Sequence, residues 1–136
     1  MRLRITDPAD ILVDRTVRSV RAEDASGGFG ILDGHADLLT VLEVSVVSWQ
    51  DLDGKAGYCA VRNGVLTVSG GKDIAIATRE GHVGDDLLAL QTTVLVRYRQ
   101  QRDAERSERT AATKLRMQAI RRMVEALQGA PKDLGA

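Results

Sequence analysis

The spacing of the hydrophobic residues changes once along this chain, near Gly84, and that change limits the folds open to it. Before Gly84, short apolar and β-branched runs alternate with turn signals, a pattern typical of a β-sandwich or barrel. After Gly84, apolar residues recur every three or four positions, which is the period of an amphipathic helix. The 136 residues are therefore expected to form a small β domain with a helical appendage.

Six stretches of the first part have the composition of strands. Leu3 and Ile5 alternate with polar neighbours, and the run at 38–50 is long enough for two strands or for one strand bent near Glu43. Asn63-Gly64 lies between two apolar runs and predicts a hairpin, because this pair tolerates the positive φ of a type I′ turn. The expected strands cover residues 2–7, 16–23, 38–50, 56–62, 65–69 and 74–79.

Two apolar stripes with helical spacing follow, on either side of the polar residues 100–108. Neither stripe is long enough for a helix that is stable alone in water, so each must bury its apolar face. We expect two helices that fold back as an antiparallel hairpin, with the turn at 103–107. The first stripe consists of Leu87, Leu90, Val94 and Tyr98, widened by Leu88 and Leu95, and the second of Met117, Ile120, Val124 and Leu127.

The ends of this helical part carry recognisable signals. Asp85 or Asp86 is the expected N-cap or first-turn acid, and Gly129 and Pro131 are expected to end the second helix. The turn at 103–107 contains neither glycine nor proline, and its residues are good helix formers. The hairpin can therefore also open into one long, continuous, basic helix.

The formal net charge is zero, yet residues 97–122 carry 9 basic and 3 acidic side chains. Such a run is either a solvated helix face or a surface for an acidic partner. A nucleic-acid binder remains an alternative, but a pI of about 6.7 and an aromatic content of 3% argue against it. The basic residues are Arg97, Arg99, Arg102, Arg106, Arg109, Lys114, Arg116, Arg121 and Arg122.

The sequence offers no recognisable catalytic or metal-binding set. His35 and His82 are the only histidines, and with Cys59 as the only cysteine they do not make a metal site. A small β-sandwich enzyme, the other alternative, would have only His35 as its base. Cys59 is expected to be a small buried hydrophobe, and Trp49 is expected in the core rather than at an interface. No catalytic residue, metal or cofactor is expected.

The single cysteine fits a reducing compartment. The first residues lack the apolar segment of a signal peptide, and no apolar run approaches the ~20 residues that span a bilayer. Any association with a membrane is therefore expected to be indirect.

One stretch carries a specific resemblance. Residues 27–39 read G-G-F-G-I-L-D-G-H-A-D-L-L, which resembles the motif G-x-[LF]-G-I-[LY]-P-G-H-A-P-L-L of the epsilon subunits of bacterial F-type rotary ATP synthases. Residues 61–68, V-R-N-G-V-L-T-V, are similar to the family's V-S-G-G-x-L-E-V, and residues 75–84 hold the place of its last strand and linker. The matching positions of the first motif are Gly27, Gly30, Ile31, Gly34, His35, Ala36, Leu38 and Leu39.

The resemblance implies a fold and a set of partners. It implies an N-terminal sandwich of about ten short strands over residues 1–83, a regulatory helical hairpin over 84–129 and a flexible tail over 130–136. The sandwich would bind the gamma subunit and rest on the c-subunit ring, while the hairpin would extend transiently to the alpha and beta subunits of the catalytic head. The subunit would be a non-catalytic part of the central stalk that couples ATP synthesis or hydrolysis to ion transport.

The resemblance also assigns residues and a location. The complex would place the subunit at the cytoplasmic face of the bacterial inner membrane, as a peripheral component. The loop facing the c ring would contain Gly28, Phe29, Gly30, Asp33, Gly34 and His35, and the regulatory helices would use Arg97, Arg99, Arg102, Arg106, Arg109, Arg121 and Arg122.

Departures from the motif are informative. Asp33 and Asp37 stand where the family has proline, and Arg62 and Asn63 replace Ser-Gly. They suggest a divergent branch, such as the alternate bacterial type associated with sodium-coupled rings. The segment at 87–92 reads L-L-A-L-Q-T, where ATP-binding members resemble [IL]-D-x-x-R-A, so no ATP binding by the hairpin is expected.

Overall fold

The computed structural model describes the backbone of residues 1–135 and the side chains of residues 1–128. Six strands precede one uninterrupted helical stretch. The strands are β1 (Arg2–Thr6), β2 (Ile11–Asp24), β3 (Gly27–Leu32), β4 (Leu38–Asp51), β5 (Ala56–Ser69) and β6 (Asp73–Gly84). The helical stretch consists of α1 (Leu87–Ala89), a π-helical segment (Leu90–Leu95) and α2 (Val96–Gly135).

The strands are hydrogen-bonded in the order β1-β6-β5-β4-β2-β3, and β1 also pairs with β2, which closes the sheet. Strands β2, β4 and β5 have 14 residues each and β6 has 12, so each reaches across both layers of a sandwich. Their segments at 17–24, 44–51, 56–62 and 80–84 join β3 in layer A. Their segments at 11–16, 38–42, 64–69 and 73–78 join β1 in layer B. The expected ten short strands are thus six continuous strands.

The hairpin predicted at Asn63-Gly64 was wrong. Asn63 does adopt a positive φ, 55°, but it lies inside β5. The residues on either side of it, Arg62 and Gly64, both pair with β4 and β6 in unbroken register. Pairing skips Glu43, Asn63 and Arg79, which lie at one level where three neighbouring strands pass between the layers. The left-handed residue therefore bends a strand without reversing it, and 38–50 lies within one bent strand.

Two stretches expected to be irregular are strands. Gly28, Phe29 and Gly30 belong to β3, which pairs with β2, and were wrongly expected in a loop. The reversal before β3 uses Ala25 and Ser26 instead. The linker expected at 80–84 is the end of β6, where His82 pairs with Ala60. Backbone pairing with β2 and with β5 holds these two stretches extended, and in β3 the side chains of Phe29 and Ile31 also face the core.

The hydrophobic core lies between the two layers and contains Trp49 and Cys59, as expected. The indole of Trp49 lies flat against the backbone of Gly57. A Cβ added at Gly57 would come within 2.3 Å of the Trp49 Cε2 atom. The buried residues are Leu3, Ile5, Val13, Val17, Val20, Ala22, Ile31, Leu42, Val47, Trp49, Cys59, Val61, Leu66, Val68, Ile74 and Ile76.

The helix begins where its sequence predicts. Asp86 is the N-cap, and its carboxylate accepts a hydrogen bond from the Leu88 amide at 3.0 Å. The predicted hairpin, in contrast, was wrong, because α2 continues through 103–107 without a turn. The reason is local: no glycine or proline interrupts this stretch, and Ala104, Glu105 and Arg106 favour helix.

Residues Met1–Gln100 form one compact unit, and the residues from Gln101 onward form a second. The backbone of α2 is helical to Gly135, but the side chains of 129–135 and all of Ala136 lie outside the described residues. The predicted helix end at Gly129 and Pro131 and the tail at 130–136 therefore stay predictions. Among the described residues, no helix combines the length and the apolar character needed to cross a membrane.

Candidate partner-binding surfaces

The start of the helix is anchored on the outer face of layer A. Leu90, Val94 and Tyr98 are buried there against Ala60, and Val44, Val46 and Tyr58 flank the contact. Each such apolar side chain removed from water contributes roughly 1.5–3 kcal/mol. Val44 and Val46 are thereby partly covered by the protein itself.

A buried ion pair lies within layer A. Arg62 is only 8% exposed, and its Nε donates to the Glu80 carboxylate at 3.0 Å. Its carbonyl accepts a hydrogen bond from the Thr78 hydroxyl at 2.8 Å. Burial, followed by the charge of Glu80, raises the pKa of Tyr98, which is 1% exposed. Arg97 lies over the Tyr98 ring, with its Cζ 5.7 Å from the centroid. Tyr98 is thus held in its neutral form at the helix anchor.

The turn after β3 holds the remaining residues of the predicted c-ring loop, Asp33, Gly34 and His35. Gly34 has a φ of 83°, and its amide donates to the Gly71 carbonyl at 2.9 Å. The ring Nδ1 of His35 lies 2.6 Å from the Ala36 carbonyl oxygen. His35 is therefore a turn residue with a local hydrogen bond, while Gly28, Phe29 and Gly30 lie along β3 beside it.

Three connections meet at this end of the sandwich. The carboxylate of Asp37 accepts from the Gly70 amide at 2.9 Å, which ties the turn after β3 to the β5–β6 turn. Leu32 and Leu52 are 63% and 60% exposed here. The Arg18 guanidinium donates to the Leu52 carbonyl at 2.8 Å and fixes the β4–β5 turn. The result is a rigid end with two projecting leucines, which we name the loop end.

The part of the outer face of layer B that β4, β5 and β6 form is apolar and uncovered within the described residues, whereas β1 and β2 beside it carry the ion-paired Arg2, Arg4 and Asp14. Leu39, Val41 and Val65 are 70%, 54% and 40% exposed. Val41 is directly opposite Val65, and Val65 is directly opposite the exposed Ala77. Leu39 faces Thr67, which faces the exposed Ala75. These six residues form one contiguous surface, the layer B face.

Sequence reasoning missed the layer B face, although a signal exists. The run 38–42 reads L-L-T-V-L, so apolar residues occupy both phases of a period of two. Leu38 and Leu42 point to the core while Leu39 and Val41 point outward. A strand that is apolar on both faces must be covered on both, either within its domain or by a partner.

The predicted regulatory arginines all lie on the one helix. Arg102, Arg106 and Arg109 recur at steps of four and three, and therefore share a face. Arg102 also pairs with the neighbouring Asp103 at 3.3 Å. Farther along, exposed apolar residues continue with the same spacing. They are Met117, Ile120, Val124 and Leu127, between 46% and 70% exposed.

Large apolar surfaces on a closed sandwich and on a helix are features of a subunit within a larger assembly. Residues 1–82 match the family described as ATP synthase, Delta/Epsilon chain, beta-sandwich domain. The chain belongs to this family. It is 41% identical to "ATP synthase epsilon chain 2" of Paraburkholderia xenovorans over 134 residues, covering 98% of this chain and 96% of that one.

A second relative has the same name. The chain is 40% identical over 132 residues to "ATP synthase epsilon chain 2" of Cereibacter sphaeroides, covering 96% of this chain and 90% of that one. The fold is shared with a chain of the Euglena gracilis mitochondrial ATP synthase at a TM-score of 0.56 and 20% identity, over 60% of this chain and 51% of that chain. A chain of the Tetrahymena thermophila mitochondrial ATP synthase central stalk and c-ring gives 0.52 at 13% identity, over 60% and 65%.

Proposed function

We propose that this chain is a non-catalytic rotor subunit of a bacterial F-type ATP synthase, docked on the gamma subunit through the layer B face. The observation that carries the proposal is the exposure of Leu39, Val41 and Val65 on neighbouring strands. Three adjacent β-branched or leucine side chains on a flat, pleated surface are costly to hydrate, and a partner that covers them gains about 25 cal/mol per Å². Family membership identifies the complex in which such a partner is found.

The geometry of the sandwich suits this role. The layer B face and the loop end belong to the same closed sheet, so a force applied at one reaches the other through continuous strands. The loop end, with Leu32 and Leu52 projecting, is proposed to rest on the c ring. Gamma and the c ring would then hold the same rigid body from two sides, as torque transfer requires.

The helix is proposed to regulate ATP hydrolysis. The arginine face around Arg102, Arg106 and Arg109 would contact acidic segments of the catalytic head, and the apolar stripe beyond it would add hydrophobic contact. Exposed ion pairs contribute little singly, about 0–1 kcal/mol each, so the effect depends on several acting together. The subunit is proposed to lie at the cytoplasmic face of the inner membrane, associated with the membrane only through the complex.

Docking is tested by reversing the character of the layer B face in the full chain. Val41→Asp combined with Val65→Asp should weaken binding to purified gamma subunit by at least tenfold, measured by isothermal titration calorimetry. Asp is a poor strand residue and two carboxylates directly opposite each other repel, so the melting temperature should fall by several degrees, and binding is therefore compared at a temperature where both proteins are folded.

The matched control is Leu88→Asp, which changes a 66% exposed leucine in the first helical turn, away from layer B. This variant should bind gamma normally. Equal affinity of the Val41/Val65 variant and the unchanged protein would refute the layer B face as the docking surface. If Leu88→Asp weakens binding to gamma and the Val41/Val65 variant does not, the docking surface lies at the start of the helix instead.

A further inference from the structure

The helix anchor contains an irregularity whose position is informative. Residues Leu90–Leu95 form a π-helical segment between two α-helical ones. Within nine positions, Leu90, Val94, Leu95 and Tyr98 are all buried, at 3%, 9%, 7% and 1% exposure. Leu95 lies five positions after Leu90, which in a regular α-helix would put it at the far edge of the stripe that Leu90, Val94 and Tyr98 form.

Helix geometry shows what the π turn accomplishes. In an α-helix each residue advances by about 100°, so Leu95 would lie about 140° from Leu90 and Tyr98 about 80° from it. A π turn, with its i→i+5 hydrogen bond, contains one residue more than an α-helical turn. Every residue after it is therefore rotated about the helix axis by about 100° less than in a regular α-helix. Leu95 then lies about 40° from Leu90 and Tyr98 about 20° on the other side. The π turn thus gathers all four anchors into one narrow arc.

We propose that the Leu90–Leu95 segment is a register switch: the buried Leu95 and Tyr98 hold it in the π form, and its relaxation to α-helix turns the residues that follow. A π-helix is intrinsically less favourable than an α-helix and persists where surrounding contacts stabilise it. Here those contacts are the burial of Leu95 and the packing of Tyr98 on the outer face of layer A.

The rest of the segment is free to rearrange. Gln91, Thr92 and Thr93 are exposed. The Thr92 hydroxyl donates to the Leu88 carbonyl at 2.8 Å, one turn back within the same helix, which ties it to no other element. The side chains of these three residues form no hydrogen bond to the sandwich. Relaxation therefore turns Leu95 away from the contact and shifts Tyr98 to about 80° from Leu90, while Leu90, Val94 and the N-cap Asp86 stay in place.

The relaxed form presents a different face. Arg97 and Arg99 would turn by about 100° around the helix axis and advance by about 1.5 Å. The switch would thus alter which side of the basic helix meets a partner without breaking the helix. This consequence rests on the proposed regulatory role, whereas the switch itself does not.

Deletion of Thr93 tests whether the π turn is a strained form that the anchors hold. It removes one residue from the segment, so a regular α-helix then keeps Leu90, Val94, Leu95 and Tyr98 in one arc. Amide hydrogen exchange of the full chain, followed by NMR, should slow at residues 95–98 by at least about tenfold relative to the unchanged protein. Thr93→Ala keeps the chain length and should change exchange there by less than about threefold.

A second variant tests the opposite direction. One alanine inserted after Thr93 adds a further residue, and should abolish protection at 95–98 while Leu90 and the sandwich residues Val47 and Val61 stay protected. Unchanged or faster exchange in the deletion variant, with Val47 and Val61 protected, would overturn the switch. Retained protection at 95–98 in the insertion variant would overturn it as well.

The assembled complex provides an independent readout. With Thr93 deleted, Leu90, Val94, Leu95 and Tyr98 stay together on the sandwich in a regular α-helix. The rate of ATP hydrolysis should then no longer change under conditions that alter this rate in the unchanged complex. Replacing the arginines tests the regulatory role by itself. If the arginine variants leave hydrolysis unchanged while deletion of Thr93 slows exchange, the regulatory proposal fails and the register switch stands.

Discussion

Gly57→Ala tests how tightly the sandwich is packed around its only tryptophan. The added Cβ would lie 2.3 Å from Trp49 Cε2 and 2.5 Å from its Cζ2 and Nε1 atoms. No real contact of this kind is so short, and Trp49 is 5% exposed and enclosed by the core. Either the indole or the β4–β5 backbone must therefore move, and overpacking of this kind costs about 1–3 kcal/mol.

A smaller effect opposes this cost. Alanine restricts the unfolded chain more than glycine does, which stabilises the fold by about 0.4–1 kcal/mol where the backbone allows it. The net loss is therefore about 1–2 kcal/mol. For a unit of the size of Met1–Gln100, each kcal/mol lowers the melting temperature by about 4–8 °C, so a drop of about 4–16 °C is expected.

The assay uses Trp49 as its own reporter. Thermal melting followed by circular dichroism gives the stability change, and the emission of the single tryptophan reports its displacement. Gly28→Ala is the matched control, because a Cβ at Gly28 meets nothing closer than the Ala22 carbonyl oxygen at 4.0 Å. An unchanged melting temperature and emission spectrum for Gly57→Ala would refute the packing argument.

Three further outcomes are expected. Replacing Arg99, Arg106 and Arg109 with alanine should raise the rate of ATP hydrolysis by the complex severalfold, whereas the charge-retaining lysine variant should leave the rate unchanged. Equal rates for the unchanged, alanine and lysine complexes would mean that these arginines form only a solvated face. The isolated chain should show no low-micromolar dissociation constant for Mg-ATP in isothermal titration, because Leu88 and Gln91 supply neither the carboxylate nor the cation of the ATP-binding motif; a measured value in that range would contradict this assignment. Burial raises the pKa of Cys59 from 9.0 to about 12, so the native state keeps a thiol proton that the unfolded chain loses above pH 9. The contribution of this group to the free energy of unfolding should therefore be complete below pH 9 and fall between pH 9 and 12. Urea titrations at pH 8 and pH 10 should show this decrease, and Cys59→Ala should reduce it.

Signals confined to a few residues predicted the local structure well. The carboxylate of Asp86 caps the helix, and the glycine turns at 53–54 and 70–71 connect β4 to β5 and β5 to β6. These features depend on backbone conformations that one or two residues determine. The same holds for Asn63, whose positive φ was correctly inferred from its type.

Signals that depend on distant partners were less informative. A positive φ at Asn63 fits a turn or a bend equally, and only the continuous pairing with β4 and β6 decides between them. The helix over 103–107 has no sequence feature that ends it, so its state depends on what covers Met117, Ile120 and their neighbours. The layer B face is indicated in the sequence by 38–42, where apolar residues occupy both faces of the strand.

The parallel pairing of β1 with β6 has a consequence for synthesis of the chain. Arg2–Thr6 leaves the ribosome before the other five strands of the sheet, yet its parallel neighbour is the segment at 73–77. Until that segment emerges, the nascent chain can form the β1–β2 and β2–β3 hairpins but cannot close the sheet around Leu3 and Ile5. Closure must therefore come late and involve nearly the whole domain at once, which is typical of slow, highly cooperative folding.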